Sequence, residues 1–136
     1  ERRPKNGTYT LDPQTTALAS ATEFEGNPTE RTGIGGLEEC SDVTMVICPD
    51  LMTGYKQNKL TLEDVAIVQN AMLAHCYKMK DRFAILDAPS DMKPADVKAW
   101  RLNGANYAKD TAKYGALYYP WIKVANQTPK AARRRA

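Results

Sequence analysis

Apolar residues along this chain gather into three short runs, and the stretches between the runs carry apolar positions at helical spacing. The runs are Val43-Thr44-Met45-Val46-Ile47-Cys48, Phe83-Ala84-Ile85-Leu86, and Tyr114-Gly115-Ala116-Leu117-Tyr118-Tyr119-Pro120-Trp121-Ile122-Lys123-Val124. Short β-branched and aromatic runs closed by Pro or Asp read as strands. Pro49-Asp50 closes the first, Asp87-Ala88-Pro89 the second, and a Tyr-Pro-Trp corner ends the strand within the third.

Between the first two runs, residues 50 to 60 read as a polar loop. A helix is then predicted from Thr61, because Thr61 and Asp64 have the spacing of a capping box, in which side-chain oxygens take up free N–H groups of the first turn. Val65, Ala66, Val68, Met72, Leu73, Cys76 and Met79 follow at three- and four-residue steps, the stripe of a helix lying on a sheet. Lys78, Lys80 and Arg82 crowd its end, where positive charge suits the negative pole of the helix dipole. Between the second and third runs, Pro94 suits the first turn of another helix, with Asp96 also favourable there. Val97, Trp100 and Arg101 continue it, Asn103-Gly104 weakens its end, and Tyr107 is expected to pack on the sheet.

Strand, helix, strand, helix, strand is the signature of an α/β fold with a parallel sheet. The expectation is a three-layer βαβαβ core with mainly parallel strands. The first strand, apolar on both faces, would be covered by helices on each side. Residues 1–36 differ: three prolines, five glycines and many Thr, Glu and Asn residues predict an extended, loop-rich arm pinned by Leu11, Leu18, Phe24 and Ile34. The core domain is placed at residues 37–125 and a basic tail at 126–136.

At 136 residues the chain suits one domain, and none of its apolar runs approaches the ~20 residues of a membrane helix, so no membrane insertion is expected. It opens on Glu1 and reads as a piece of something longer. Net charge is +3, yet Lys130, Arg133, Arg134 and Arg135 supply four positive charges, which leaves the body at 3 − 4 = −1. Basicity confined to a short end, without interleaved aromatics on one face, gives only a weak nucleic-acid signature, and no nucleic-acid partner is expected. Cys40, Cys48 and Cys76 are odd in number, widely spaced and accompanied only by His75. They fit neither a zinc site nor a disulfide framework, and they suit synthesis in a reducing, cytosolic place.

Open α/β sheets put chemistry at the carboxyl ends of their strands. Asp50 and Asp87 fall there and form the candidate pair for Mg²⁺ or acid–base work, with turn capping as the plainer account. Neither a nucleophile nor a phosphate loop accompanies them; Gly33-Ile34-Gly35-Gly36 precedes the first strand instead of following it. His75 and Cys76 are adjacent on a helix and point about 100° apart, so His75 reads as a helix-surface histidine and Cys76 as a small core residue. Tyr118, Tyr119 and Trp121 divide between core and subunit contact in an alternating strand. Lys123, Trp100 and Arg82 join them as candidate packing residues.

Several words in this sequence, in one order, resemble the tail sheath proteins of contractile bacteriophages and related injection systems. They are Asp42-Val43-Thr44 leading to Cys48-Pro49-Asp50, His75-Cys76, Lys80 through Pro89, Val97 with Trp100-Arg101, and Tyr114 through Val124. The resemblance covers about residues 26 to 124. It implies a structural, non-enzymatic subunit of a helical polymer without cofactors or metal, assembled in the bacterial cytoplasm as part of a phage tail or similar particle. Its implied partners are other sheath subunits, an inner tube protein, and baseplate and terminator proteins. The family continues into a carboxy-terminal linking domain that Lys130–Ala136 does not resemble, and residues 1–25 match nothing in it. Two other readings stay open: a metal-dependent, doubly wound enzyme fragment using Asp50 and Asp87, and a nucleic-acid-binding module using Arg133 to Arg135.

Overall fold

The computed structural model describes residues 20–124. Three strands, β1 (Met45–Ile47), β2 (Phe83–Asp87) and β3 (Gly115–Tyr118), form a parallel sheet in the order β1-β2-β3. The α/β class and the parallel sheet are as the pattern predicts. Helices α1 (Ala21–Glu25), α2 (Pro49–Lys56), α3 (Leu62–Met79), α4 (Pro94–Ala99) and α5 (Lys109–Ala112) complete the described part, with a 3₁₀ turn at Gly35–Glu39 and a π turn at Trp100–Gly104.

The sheet is a seam between α3 and open surface. Val46, Ala84 and Leu86 point to one face and are buried with Met72, Leu73 and Cys76 of α3. Gly115 belongs to the same face and lets the helix approach: a Cβ there would lie 2.4 Å from Leu73 Cδ2. Because consecutive parallel strands lie side by side, right-handed crossovers carry both connections over one face. A second buried cluster continues along the N-terminal half of α3, where Leu51 and Met52 of α2 meet Val65, Val68 and Trp100.

The opposite face is bare among the described residues. Met45 and Ile47 of β1 are 66% and 63% exposed, whereas a strand covered on both faces was expected. The described helices therefore make two layers. The stretch expected as a polar loop after β1 is instead α2, with Pro49 in its first turn and Leu51, Met52 and Gly54 buried. Its polar residues concealed two good core anchors.

The longest helix follows the sequence closely. Asp64 N–H donates to Thr61 Oγ1 at 3.1 Å, Asp64 Oδ2 accepts from Thr61 N–H at 2.8 Å, and the helix ends on Lys80 in the left-handed region (φ 67°). Residues 20–36, expected as loop, include α1, which packs on α3, and a tight turn closed by reciprocal bonds between Asn27 and Thr32. Gly26 is required in that turn, since its φ is +64° and a Cβ would sit 2.0 Å from Thr32 O. The expectations for residues 1–19 and for the basic tail lie outside the described residues.

Candidate interaction surface

Alternation along β1 and β2 and the parallel register set the bare face residue by residue. Met45 stands beside Phe83, Ile47 beside Ile85 and Ile85 beside Ala116, and Asp87 beside Tyr118. Side chains of paired residues leave a sheet on the same side. The result is an apolar plane of Met45, Ile47, Phe83, Ile85 and Ala116 that ends at Tyr118 and one carboxylate. Tyr118 is 60% exposed.

Beyond Tyr118 the chain turns through a cis Tyr119–Pro120 peptide. Trp121 Nε1 donates to Ala88 O at 2.7 Å, and Tyr119 OH donates to Met92 O at 3.0 Å, so the corner is tied to the loop after β2. Lys56 Nζ lies 5.3 Å from the Trp121 ring centre, a cation–π contact from α2. Trp121 nevertheless remains 47% exposed, and Lys123 is exposed. Tyr118, Pro120, Trp121, Ile122 and Val124 line an open groove with Asp87 at its edge. Partial burial pushes the Asp87 carboxyl above its ordinary range. Among the described residues no cation stands within ion-pair distance of it.

The remaining predicted packing residues lie elsewhere. Trp100 is buried and meets Tyr107 edge-on, with ring centres 6.2 Å apart. Tyr107 OH donates to Gln69 Oε1, and Gln69 Nε2 donates to Asp87 O at 2.8 Å, which ties the α4–β3 connection through α3 to the end of β2. Burial drives the Tyr107 hydroxyl well above its ordinary pKa.

Arg82 does not serve the end of α3 as an exposed charge. It turns inward, and its side chain has no exposed surface. Nη1 donates to Leu37 O at 2.8 Å, Nη2 to Cys40 O at 3.0 Å, and Nε to Asp81 Oδ1 at 2.8 Å. Nη1 also reaches His75 Nε2 at 3.3 Å. A guanidinium only donates, so His75 accepts at Nε2 and is neutral, with its proton on Nδ1. His75 is buried, contrary to the expected surface position, because the turn at residues 37–40 folds over that side of α3. Burial and then the Arg82 charge hold its pKa below the ordinary value. No periodicity in the sequence distinguishes this inward arginine from Lys78, which stays outside and pairs with Glu38 at 2.7 Å.

Asp50 and Asp87 do come to the same end of the sheet. Burial raises the Cys48 thiol pKa, and the negative charges of Asp50 and Asp87 add to the rise. Asp50 sits in the first turn of α2, where a carboxylate suits the positive helix pole. Cys76 is also raised by burial, consistent with a core residue. Among the described residues, no three His, Cys, Asp or Glu side chains converge as a metal site requires. Nor is any described helix long and apolar enough to cross a membrane.

Set against known proteins, the chain matches no family model and no curated relative.

Proposed function

We propose that the chain is part of a subunit of a contractile tail sheath, a helical array that surrounds an inner tube and drives it by shortening. The observation that carries this reading is an apolar face of a parallel sheet that is bare among the described residues, since such sheets are ordinarily covered on both faces. A protein whose sheet is finished by contact with others suits an assembly better than a solitary catalyst. The sequence words that resemble sheath proteins supply all three strands and the corner after β3, so the resemblance and the open surface fall on the same part of the molecule.

On this reading the third layer of the core is completed within the assembly, and the protein's task is mechanical. Heterologous contacts that do not close generate a helical filament. Packed interfaces have discrete arrangements, so two lattices of the same subunits can differ in free energy and release it on rearrangement. Other sheath subunits, an inner tube protein, and baseplate and terminator proteins are the partners, in a phage tail or tail-like particle assembled in the bacterial cytoplasm.

Negative-stain electron microscopy of the purified protein, and of a version extended at its carboxyl end, over a range of concentrations is the test. Tubes of regular helical pitch from the extended version are the expected result. Monodisperse particles throughout, together with Mg²⁺-dependent thermal stabilisation that disappears in Asp87→Asn, would replace the sheath with the metal-enzyme reading.

A further inference from the structure

The covered face of the sheet indicates what fits the bare one. Strands lie about 4.8 Å apart, so β1 and β3 are about 10 Å apart, close to the width of one helix. On the inner face α3 lies across that width, setting Met72, Leu73 and Cys76 on Val46, Ala84 and Leu86, with Leu37 and Tyr107 packed at its flanks. The outer face has the same width and a similarly apolar centre.

Its end is different, because Asp87 stands there partly buried beside Tyr118 and the groove, with no cation in reach among the described residues. A carboxylate drawn further out of water by a docking partner needs a positive group opposite it. Apolar cover alone would leave that charge unanswered.

We propose that the bare face seats an amphipathic α-helix of a partner chain, which lays aliphatic side chains over Met45, Ile47, Phe83 and Ile85 and sets a lysine or arginine over Asp87. This takes from the assembly reading only that the face is an interface. From Phe83 to Asp87 is four strand steps, about 13 Å, which a helix covers in about nine residues. The partner helix therefore carries apolar residues at i, i+3 and i+4, with the basic residue at i+7 or i+8 along the same stripe. A second copy offering its own sheet face would bring apolar area but no cation, since Asp87 is the charged group on that plane.

The probe is a set of synthetic 18-residue Leu/Ala/Lys helices with the apolar stripe and one stripe lysine moved through successive registers. Controls replace that lysine with Glu or scramble the stripe at fixed composition. Binding to the full chain is followed by fluorescence anisotropy and by NMR shifts of the Ile47 and Ile85 methyl groups. One register is expected to bind, to shift both isoleucines, to weaken about tenfold in Asp87→Asn or with the Glu peptide, and to lose binding in Ile47→Lys. Ile47 is exposed, so that variant keeps the fold, which circular dichroism checks. Equal binding by the scrambled peptides, or no register that binds, overturns the proposal.

Mass-spectrometric thiol labelling of Ile47→Cys tests the other occupants. Protection that grows with protein concentration assigns the face to a second copy's sheet, and protection independent of concentration assigns it to residues 1–19 or 125–136; either overturns the helix seat. Helix binding without tubes would leave the seat and remove the sheath. Tubes in which Ile47→Cys stays freely labelled would leave the sheath and remove the seat.

Discussion

Gly115 is the residue on which the closeness of α3 and the sheet turns. A methyl group there meets Leu73 Cδ2 at 2.4 Å and Ala84 O at 3.0 Å, in a core where Leu73 and Ala84 are buried. Gly115→Ala is expected to destabilise by about 1–3 kcal/mol in urea unfolding, as overpacking does. Leu73→Ala alone opens a cavity, but in Gly115→Ala the two changes should cost less together than their sum. Strict additivity would mean that the clash is relieved some other way. His75 carries the second prediction at this scale. Its pKa is lowered in the fold from the ordinary 6.5, so the unfolded chain takes up the proton first. The stability it contributes is complete above about pH 6.5 and is lost as pH falls through the lowered value. The urea midpoint should drop between pH 7.5 and 5, and the drop should shrink in His75→Gln, whose amide oxygen accepts from Arg82 without titrating. An equal drop in both proteins would remove His75 as its source.

Elements were legible where the signal was local. The capping box of α3 was readable because its partners are three residues apart, and Thr61→Ala should cost about 1 kcal/mol, measured as a lower urea midpoint with an unchanged slope. The cores of the three strands were readable from their apolar residues, and the closing Pro and Asp residues marked their ends. What escaped depends on contacts distant in sequence. α2 was hidden because Leu51 and Met52 are anchored by Val65, Val68 and Trp100, not by a stripe of their own. His75 looked external, and Arg82 read both as a helix-end charge and as a packing residue, because only the return of residues 37–40 over α3 encloses them. Strand order was equally silent, and with it the bareness of one face: alternation gives two faces to every strand but does not say which of them will be covered. Within the candidate surface, the sequence singled out Tyr118, Tyr119 and Trp121 as divided between core and subunit contact, and all three stay exposed, while the contribution of Met45 and Ile47 became visible only with the register.

At the scale of the whole fold, the described residues pack one side of the sheet and leave the other side apolar and open. A native protein of this kind should bind an environment-sensitive hydrophobic dye such as ANS without unfolding. Phe83→Lys, like Ile47→Lys, should reduce that fluorescence at least severalfold while the unfolding midpoint moves little, since these side chains are exposed and surface changes usually cost within about 0.5 kcal/mol. Undiminished dye binding in the variants would place the apolar surface somewhere else, for example along the groove of Trp121, Ile122 and Val124.

The sequential order β1-β2-β3 also governs how the sheet bears tension. All three strands run the same way, and the chain enters at the foot of β1 and leaves at the head of β3. A pull between those two points slides the outer strands in opposite directions past β2, so the ladder bonds are loaded together in shear instead of being peeled apart one by one. The unit resists along its strands and yields most readily across them, a directional stiffness written into the topology.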